Sequence, residues 1–464
     1  MKKRELLNMG IYGDALDKAL ETIRWMSAEK FKKAAIRETI QNIAEFPETY
    51  IEHENYGDFA KLIMHEAESE IIYKPREKRA PYEQWGTNID VKAIEQMQNA
   101  CDLPVAEAGA LMPDAHLGYG LPIGGVLATE NAVIPYAVGV DIACRMKLSI
   151  FDMPVSILEG QKDKLINILN NETRFGMGSE FENPRMHDVL DQDWSVTDTT
   201  KRMKDKAWRQ LGSSGSGNHF VEYGVFSITE DKYGLDAGEY LALMSHSGSR
   251  GAGAQVCQFY SKLAKEKHSY LPKQLINLAW LDMDTADGQE YWAAMNLMGD
   301  YAAANHACIH KHIAKALKAD VLFSVENHHN FAWKETHFGK ELYVHRKGAT
   351  PAGEGELGII PGSMADPAYL VKGKGLESSL KSAAHGAGRL MSRTQAKNSF
   401  TWHQANKYLQ ERNVTLISAG IDEVPMVYKN IDEVMAAQTD LLSVEGKFQP
   451  RIVKMADPGE KPED

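Results

Sequence analysis

Apolar Leu16, Ala19, Leu20, Ile23 and Trp25 recur at helical spacing among charged positions, and KFKKAAIRETIQNIAEF carries the same pattern onward. That period is the stripe of a helix with one buried side, so one or two amphipathic helices are expected over roughly residues 14–46. A second helical run is expected near residues 57–70. The segment YKPREKRAPYEQWG then turns basic and proline-bearing and reads as a connection. Its Lys74, Arg76, Lys78 and Arg79 suit a solvated loop or an arm that touches nucleic acid.

From about residue 105 the texture changes. Glycine-rich and β-branched stretches, LMPDAHLGYGLPIGGVLAT and AVIPYAVGVDIACRMKLSIF, alternate with short polar turns, the pattern of strands joined by tight loops. Long helical patterns interrupt it near 250–267 and 287–317. The region 341–400 again sets glycine-rich loops beside strands, followed by a helix starting near His385. No internal repeat or low-complexity tract appears. The expected fold is α+β: a single large mixed-sheet catalytic body over residues 101–464, with residues 1–100 as a helical N-terminal extension packed on it.

Composition adds mainly exclusions. With 43% hydrophobic and 25% charged residues in 464, the chain is neither disordered nor a disulfide scaffold. Lys and Arg number 52 against 64 Asp and Glu, and 52 − 64 gives −12, which excludes a histone-like binder but leaves a local basic channel open. No apolar run reaches membrane-spanning length, and the start MKKRELLNMGIYGDAL lacks the apolar stretch of a secretory signal. Cys101, Cys144, Cys257 and Cys308 form no CxxC pair, so a cytoplasmic location is expected, with each thiol a small core residue unless its surroundings say otherwise.

The chemistry concentrates in histidines. Of the sixteen, several stand in glycine- or asparagine-flanked loops: PDAHLG (His116), GSGNHFVE (His219), SHSGSRG (His246), ENHHNF (His328, His329), VHRKGAT (His345) and AHGAGR (His385). Glycine neighbours admit a ligand close to the backbone, and imidazole is the commonest transition-metal ligand. His306 and His310 stand four apart on a helical pattern without the HExxH glutamate, and read as core. GVDIACRM adds Asp141 and Cys144; carboxylate, thiolate and imidazole together suit Mn(II), Zn(II) or Fe(II). A bridging thiolate would allow the two-metal clamp used in phosphoryl transfer, with ions about 3.5–4 Å apart. Ser245, Ser247, Arg250, Arg346 and Lys347 read as phosphate contacts. GxGxxG and GxxxxGK[ST] are both missing, so neither a Rossmann nor a P-loop site is expected.

The ordered set PDAHLGYGxPIGG, GVDIxC, GNHFxE, SHSGSRG, HHN, HRKGAT, PGSM, HGAGRxMSR and DEVPMVYKN resembles the RtcB RNA-splicing ligase family, over roughly three quarters of the chain, from about residue 105 to Lys454. The resemblance implies an enzyme that joins an RNA 2′,3′-cyclic phosphate or 3′-phosphate end to a 5′-hydroxyl end, using GTP and two Mn(II) ions. It implies His385 as the nucleophile that carries GMP. One metal would take Asp141, Cys144 and His219; the other would share Cys144 and add His246 and His329. The guanylate would be held around Asn218, His219, Phe220, Val221, Glu222, His329, Asn330, Pro361, Gly362, Ser363, Met364, His385, Gly386, Ala387, Gly388 and Lys454. RNA is the implied partner, and an archease-type activator, on which some family members depend, is a candidate partner.

The chain departs from the family pattern in three places. Arg145 follows Cys144 where the family usually has glycine, and is expected either to contact RNA phosphate or to narrow the site. Ala368 replaces a small hydroxyl residue, and Ala384 a common cysteine. Arg145, Lys147, Arg250, Arg346, Lys347, Arg389 and Arg393 are candidates for a basic groove. Two other classes stay open: a metal-dependent phosphoesterase or nucleotidyltransferase on other nucleic-acid ends, motivated by Arg145, and an RNA-end-binding module without turnover.

Overall fold

A computed structural model describes residues 3–7, 9, 11, 13–68 and 73–460. The chain forms two compact units, Met1–Lys74 with Ser269–Leu271, and Pro75–His268 with Pro272–Asp464. In the first unit, helices Gly13–Ala28, Lys33–Glu45 and Gly57–Glu68 bury the periodic positions. Ile23, Met26, Ile36, Ile40, Ile43 and Phe59 form their common core. The pattern read over 14–46 is thus two helices, and residues 69 and 70 of the second expected run lie outside the described residues.

The units divide at Lys74/Pro75 and not near residue 100. The reason is pairing that the sequence does not display. Tyr82–Gln84 runs parallel to the strand Ala106–Tyr119, and the helix Val91–Cys101 presses onto the same strand. A Cβ at Gly109 would lie 2.2 Å from Met97 and 3.0 Å from Cys101 Sγ. The basic segment is tied down as well, with Arg76 on Glu107 at 2.9 Å and Arg79 on both Asp102 oxygens at 2.8 Å.

Two sheets organise the second unit. The five-stranded one runs Tyr82–Gln84, Ala106–Tyr119, Leu121–Thr129, Lys340–Lys347, Asn330–His337. The larger runs Leu357–Ile360, Ala368–Gly373, Leu442–Met455, Phe220–Ile228, Gly238–Ser247, Arg145–Phe151, Val321–His328, with Thr415–Ser418 beside Leu442–Met455. Every pairing along this path is antiparallel. The long helix Ala286–Leu317 covers one of its faces, where Ile309 and Ile313 pack with Val221, Tyr223 and Leu243. At His329 the chain leaves the larger sheet and enters the smaller with no intervening loop.

The helix expected from His385 begins only at Arg393. Ser382–Ala384 is a strand, and residues 385–392 are irregular backbone with bends and an isolated bridge from Arg389 to Tyr428. The cause is Gly388, at φ +76°, whose added Cβ would fall 2.1 Å from Asp114 O. His385 N bonds the Asp114 carboxylate in place of a helical carbonyl.

Arg346, 1% exposed, is held by both Glu335 oxygens at 2.7 and 3.0 Å and by Ser382 Oγ at 2.7 Å. Removing the carboxylate strands a buried guanidinium, so Glu335→Ala is expected to lower unfolding free energy by about 3 kcal/mol. Burial acts to raise the Glu335 carboxyl, but His337 and Arg346 outweigh it and hold it at about 2 against an ordinary 4.5. A depressed carboxylate stabilises above its unfolded value, so this contribution is complete above pH 4.5 and lost as the pH falls toward 2. Urea midpoints of wild type and variant should therefore converge on acidification; a gap unchanged at pH 3 would rule out the ion pair as its source.

Candidate metal centre and nucleophile

The candidate ligands arrive at one end of four neighbouring strands. Cys144 immediately precedes Arg145–Phe151, His219 precedes Phe220–Ile228, His246 is the penultimate residue of Gly238–Ser247, and His329 follows Val321–His328. The register sets Phe220 and Met146 on either side of His246 and Arg145 opposite His328, so these strand ends coincide. Asp141 comes from the preceding turn, anchored by Ser249 N donating to Oδ1 at 3.1 Å. Only glycine fits at 248, where a Cβ would lie 2.1 Å from that oxygen.

Asp141, Cys144 and His219 form one group of converging ligand atoms, and Cys144, His246 and His329 another, all buried and within 4.8 Å of one another in each group. Cys144 Sγ is 3.3 Å from His219 Nε2 and 3.1 Å from His246 Nε2, and His246 Nε2 is 3.2 Å from His329 Nε2. His246 Nδ1 donates to Asn218 O at 3.1 Å, which turns a lone pair on Nε2 toward the sulfur. Burial, then the neighbouring His219, push His246 down to about 3, and burial pushes His329 well down, so both rings are neutral at physiological pH, the form in which imidazole can bind a metal. Burial acts to raise the Asp141 carboxyl, yet His219, Cys144 and Arg250 outweigh it and hold it below its usual range.

Asp141 Oδ2 and His219 Nε2 lie 3.0 Å apart, and the oxygen makes no hydrogen bond. Such atoms point at a shared third position, and the donor set fits a borderline divalent cation.

His385 stands beside this cluster, its ring centroid 4.9 Å from that of His329. Its Nδ1 and backbone N both reach Asp114 Oδ2, at 2.6 and 3.2 Å. The carboxylate fixes the proton on Nδ1 and leaves the Nε2 lone pair available. The motif PDAH points to its histidine and not to Asp114, whose signal in the sequence is a lone acid inside the apolar run GALMPDAH; it is fully buried. The late motif DEVPMVYKN braces this corner: Lys429 Nζ donates to Pro113 O and Ala115 O, both at 3.0 Å, and Glu423 pairs with Arg389 and Arg393.

Around the nucleophile, Pro361 abuts Gly386, a Cβ there lying 3.3 Å from Pro361 O, and Gly362 N closes the turn on Pro367 O at 2.9 Å. Ser363 Oγ donates to Asp366, Met364 and Phe220 share a cluster, and Ala387 is core. Asn330 ties the metal turn together through Asp141 O, Ala143 N and Gly348 N. Burial pushes Glu222 well up. Lys454 pairs with Val221 and reaches Leu169 O at 3.4 Å, on the face opposite Phe220 and His246. Ala368 is buried, and Ala384 N bonds Gln438.

Other expectations are corrected. Arg145 faces the helix Ala286–Leu317, donating to Gly299 O at 3.0 Å and Glu326 at 3.2 Å; strand alternation turns it away from Cys144. That removes the observation favouring the phosphoesterase. The other six cations are engaged internally too: Lys147 on Glu326, Arg250 on Gly176 O, Arg346 on Glu335, Lys347 on Tyr119 O, and Arg389 and Arg393 on Glu423. Ser245 bonds His306 and His310 at 2.7 and 2.8 Å, and Ser247 Oγ donates to Ser213 O, so neither faces a phosphate. His345 bonds backbone at Ile134 and Leu127.

The family model described as tRNA-splicing ligase RtcB matches residues 96–455. The chain belongs to the RtcB family. It is 33% identical over 402 residues to the RNA-splicing ligase RtcB of Escherichia coli K12, covering 79% of this chain and 95% of that one. It is 32% identical over 438 residues to the tRNA-splicing ligase RtcB of Nanoarchaeum equitans, covering 78% and 91%. The RtcB match contains every candidate ligand, His385 and Asp114. No helix of the described residues is long and apolar enough to cross a membrane.

Proposed function

We propose that the chain is a GTP-dependent RNA ligase that joins 3′-phosphate or 2′,3′-cyclic phosphate ends to 5′-hydroxyl ends, with two Mn(II) ions as cofactor. One observation carries the reading: Asp114 presents the His385 Nε2 lone pair beside the buried Asp141–Cys144–His219–His246–His329 cluster. In the first step Nε2 attacks the α-phosphorus of GTP. The N–P bond forms as the bond to pyrophosphate breaks, and Asp114 stabilises the charge that develops on the ring. An oxygen of the RNA 3′-phosphate then attacks that phosphorus, taking GMP and returning the electron pair to Nε2. The 5′-hydroxyl attacks the activated RNA phosphate, and GMP leaves. A cyclic phosphate is first opened by water.

Asp141, Cys144 and His219 would hold one ion, and Cys144, His246 and His329 the other. When bound, a divalent ion supplies charge neutralisation on phosphate oxygens and acidifies a bound water. Asn218, Phe220, Glu222, Asn330, the Pro361–Met364 turn and Gly386–Gly388 would form the guanylate pocket, whereas Val221 and Lys454 lie on the opposite face of the sheet.

The test is end chemistry. With GTP and Mn(II), the purified protein should join RNA carrying a 3′-phosphate to RNA carrying a 5′-hydroxyl. It should yield nothing when either end is a 3′-hydroxyl or a 5′-phosphate. Removal of the phosphate without joining would refute the ligase reading.

A further inference from the structure

The seven cations expected to line a basic groove are engaged within the protein, which turns attention to other groups near the nucleophile. Tyr119 is one. It ends the strand Ala106–Tyr119, which also carries Asp114, and it is 70% exposed, the most of any large hydrophobic residue among those described. Single exposed apolar side chains are ordinary. This one is unusual in how firmly its backbone is held. The Gln96 amide pairs with Gly118 in both directions, at 2.6 and 3.0 Å. Lys347 Nζ donates to Tyr119 O at 2.6 Å and to Tyr136 O at 3.2 Å.

Tyr136 extends the surface, its ring edge-on to Tyr119 at 6.5 Å, and Lys265 Nζ lies 4.9 Å from the Tyr136 centroid. The connection to the chemistry is short. Lys347 is followed by Gly348, where an added Cβ would lie 3.1 Å from His385 Cε1. Along the strand, the five residues from Asp114 to Tyr119 span at most about 17 Å, the reach of a few nucleotides. A rigid aromatic face with a flanking cation is how single-stranded nucleic acid is held without base readout, since every base has a face to stack.

We propose that Tyr119, backed by Tyr136 and Lys265, is a stacking platform for unpaired bases of the RNA strand whose end reacts at His385. The proposal rests on the RNA ligase reading above and adds a base-binding surface to it.

The experiment is fluorescence anisotropy with a labelled single-stranded RNA bearing a 3′-phosphate and a 5′-hydroxyl, scanned with single abasic nucleotides. On wild type, one or two abasic positions near an end should weaken binding about 10-fold. Tyr119→Ala should weaken the intact RNA by a similar factor and show no further loss at those positions, while Tyr119→Phe should bind like wild type. Equal affinity of Tyr119→Ala and wild type would overturn the platform, as would a loss of equal size on intact and abasic RNA. If the alanine variant melts early, the wild-type scan decides alone: a profile flat at every position overturns the proposal. Wild-type joining activity, scored separately by the end-chemistry test, distinguishes this failure from failure of the ligase reading.

Discussion

His385→Ala is expected to retain no label from α-labelled GTP after denaturation, where the wild-type protein with Mn(II) retains label that is acid-labile and base-stable. The Nε2 lone pair of His385 depends on a proton fixed on Nδ1 by Asp114 at 2.6 Å. Asp114→Asn separates geometry from protonation. The amide has nearly the shape of the carboxylate, but it can donate to Nδ1, which moves the imidazole proton to Nε2 and blocks attack. A fall in single-turnover guanylylation on the order of 10⁴-fold is expected, from the wrong-tautomer effect known for histidine–aspartate pairs. Label on His385→Ala equal to wild type would remove His385 from the mechanism. An Asp114→Asn rate within threefold of wild type would leave Asp114 a structural role only.

The second large effect concerns Cys144, the one residue common to both ligand groups. Titration of the wild-type protein with Mn(II) should reach two ions per chain. Cys144→Ala should lose both, with affinity down at least ~100-fold, since even supporting residues behind a ligand cost 10- to 100-fold. His219→Ala removes a member of one group only and should leave one ion bound. Joining should fall to background in both variants. Two ions bound to Cys144→Ala at unchanged affinity would sink the shared-thiolate arrangement.

The candidate centre is legible because its residues stand in turns where glycine or asparagine flanks them, and such turns read as short motifs. Asp141, Cys144, His219, His246, His329 and His385 could all be named without a structure. Their supports could not. Asp114 is 271 positions from His385, and only the fold brings the two together. Arg145 looked like a cation at the metals because it follows Cys144, but one step along a strand reverses a side chain, and Glu326 waits on the neighbouring strand. Arg346 finds Glu335 across a hairpin, a partner that a reader of HRKGAT has no means to foresee. The motifs name residues that the fold brings together; the charges around them are misassigned because pairing is a property of the fold. The long helix Ala286–Leu317 was legible by period, and the helix expected at His385 was not, because backbone crowding at Gly388 overrides composition there.

His329 joins the two sheets with no slack: the residue before it belongs to one, the residue after it to the other. A ligand placed at such a joint leaves no linker to absorb a change in how the halves meet. A substitution that shifts one sheet against the other would therefore be felt at His329 directly, with the cluster displaced before either sheet loses its own pairing.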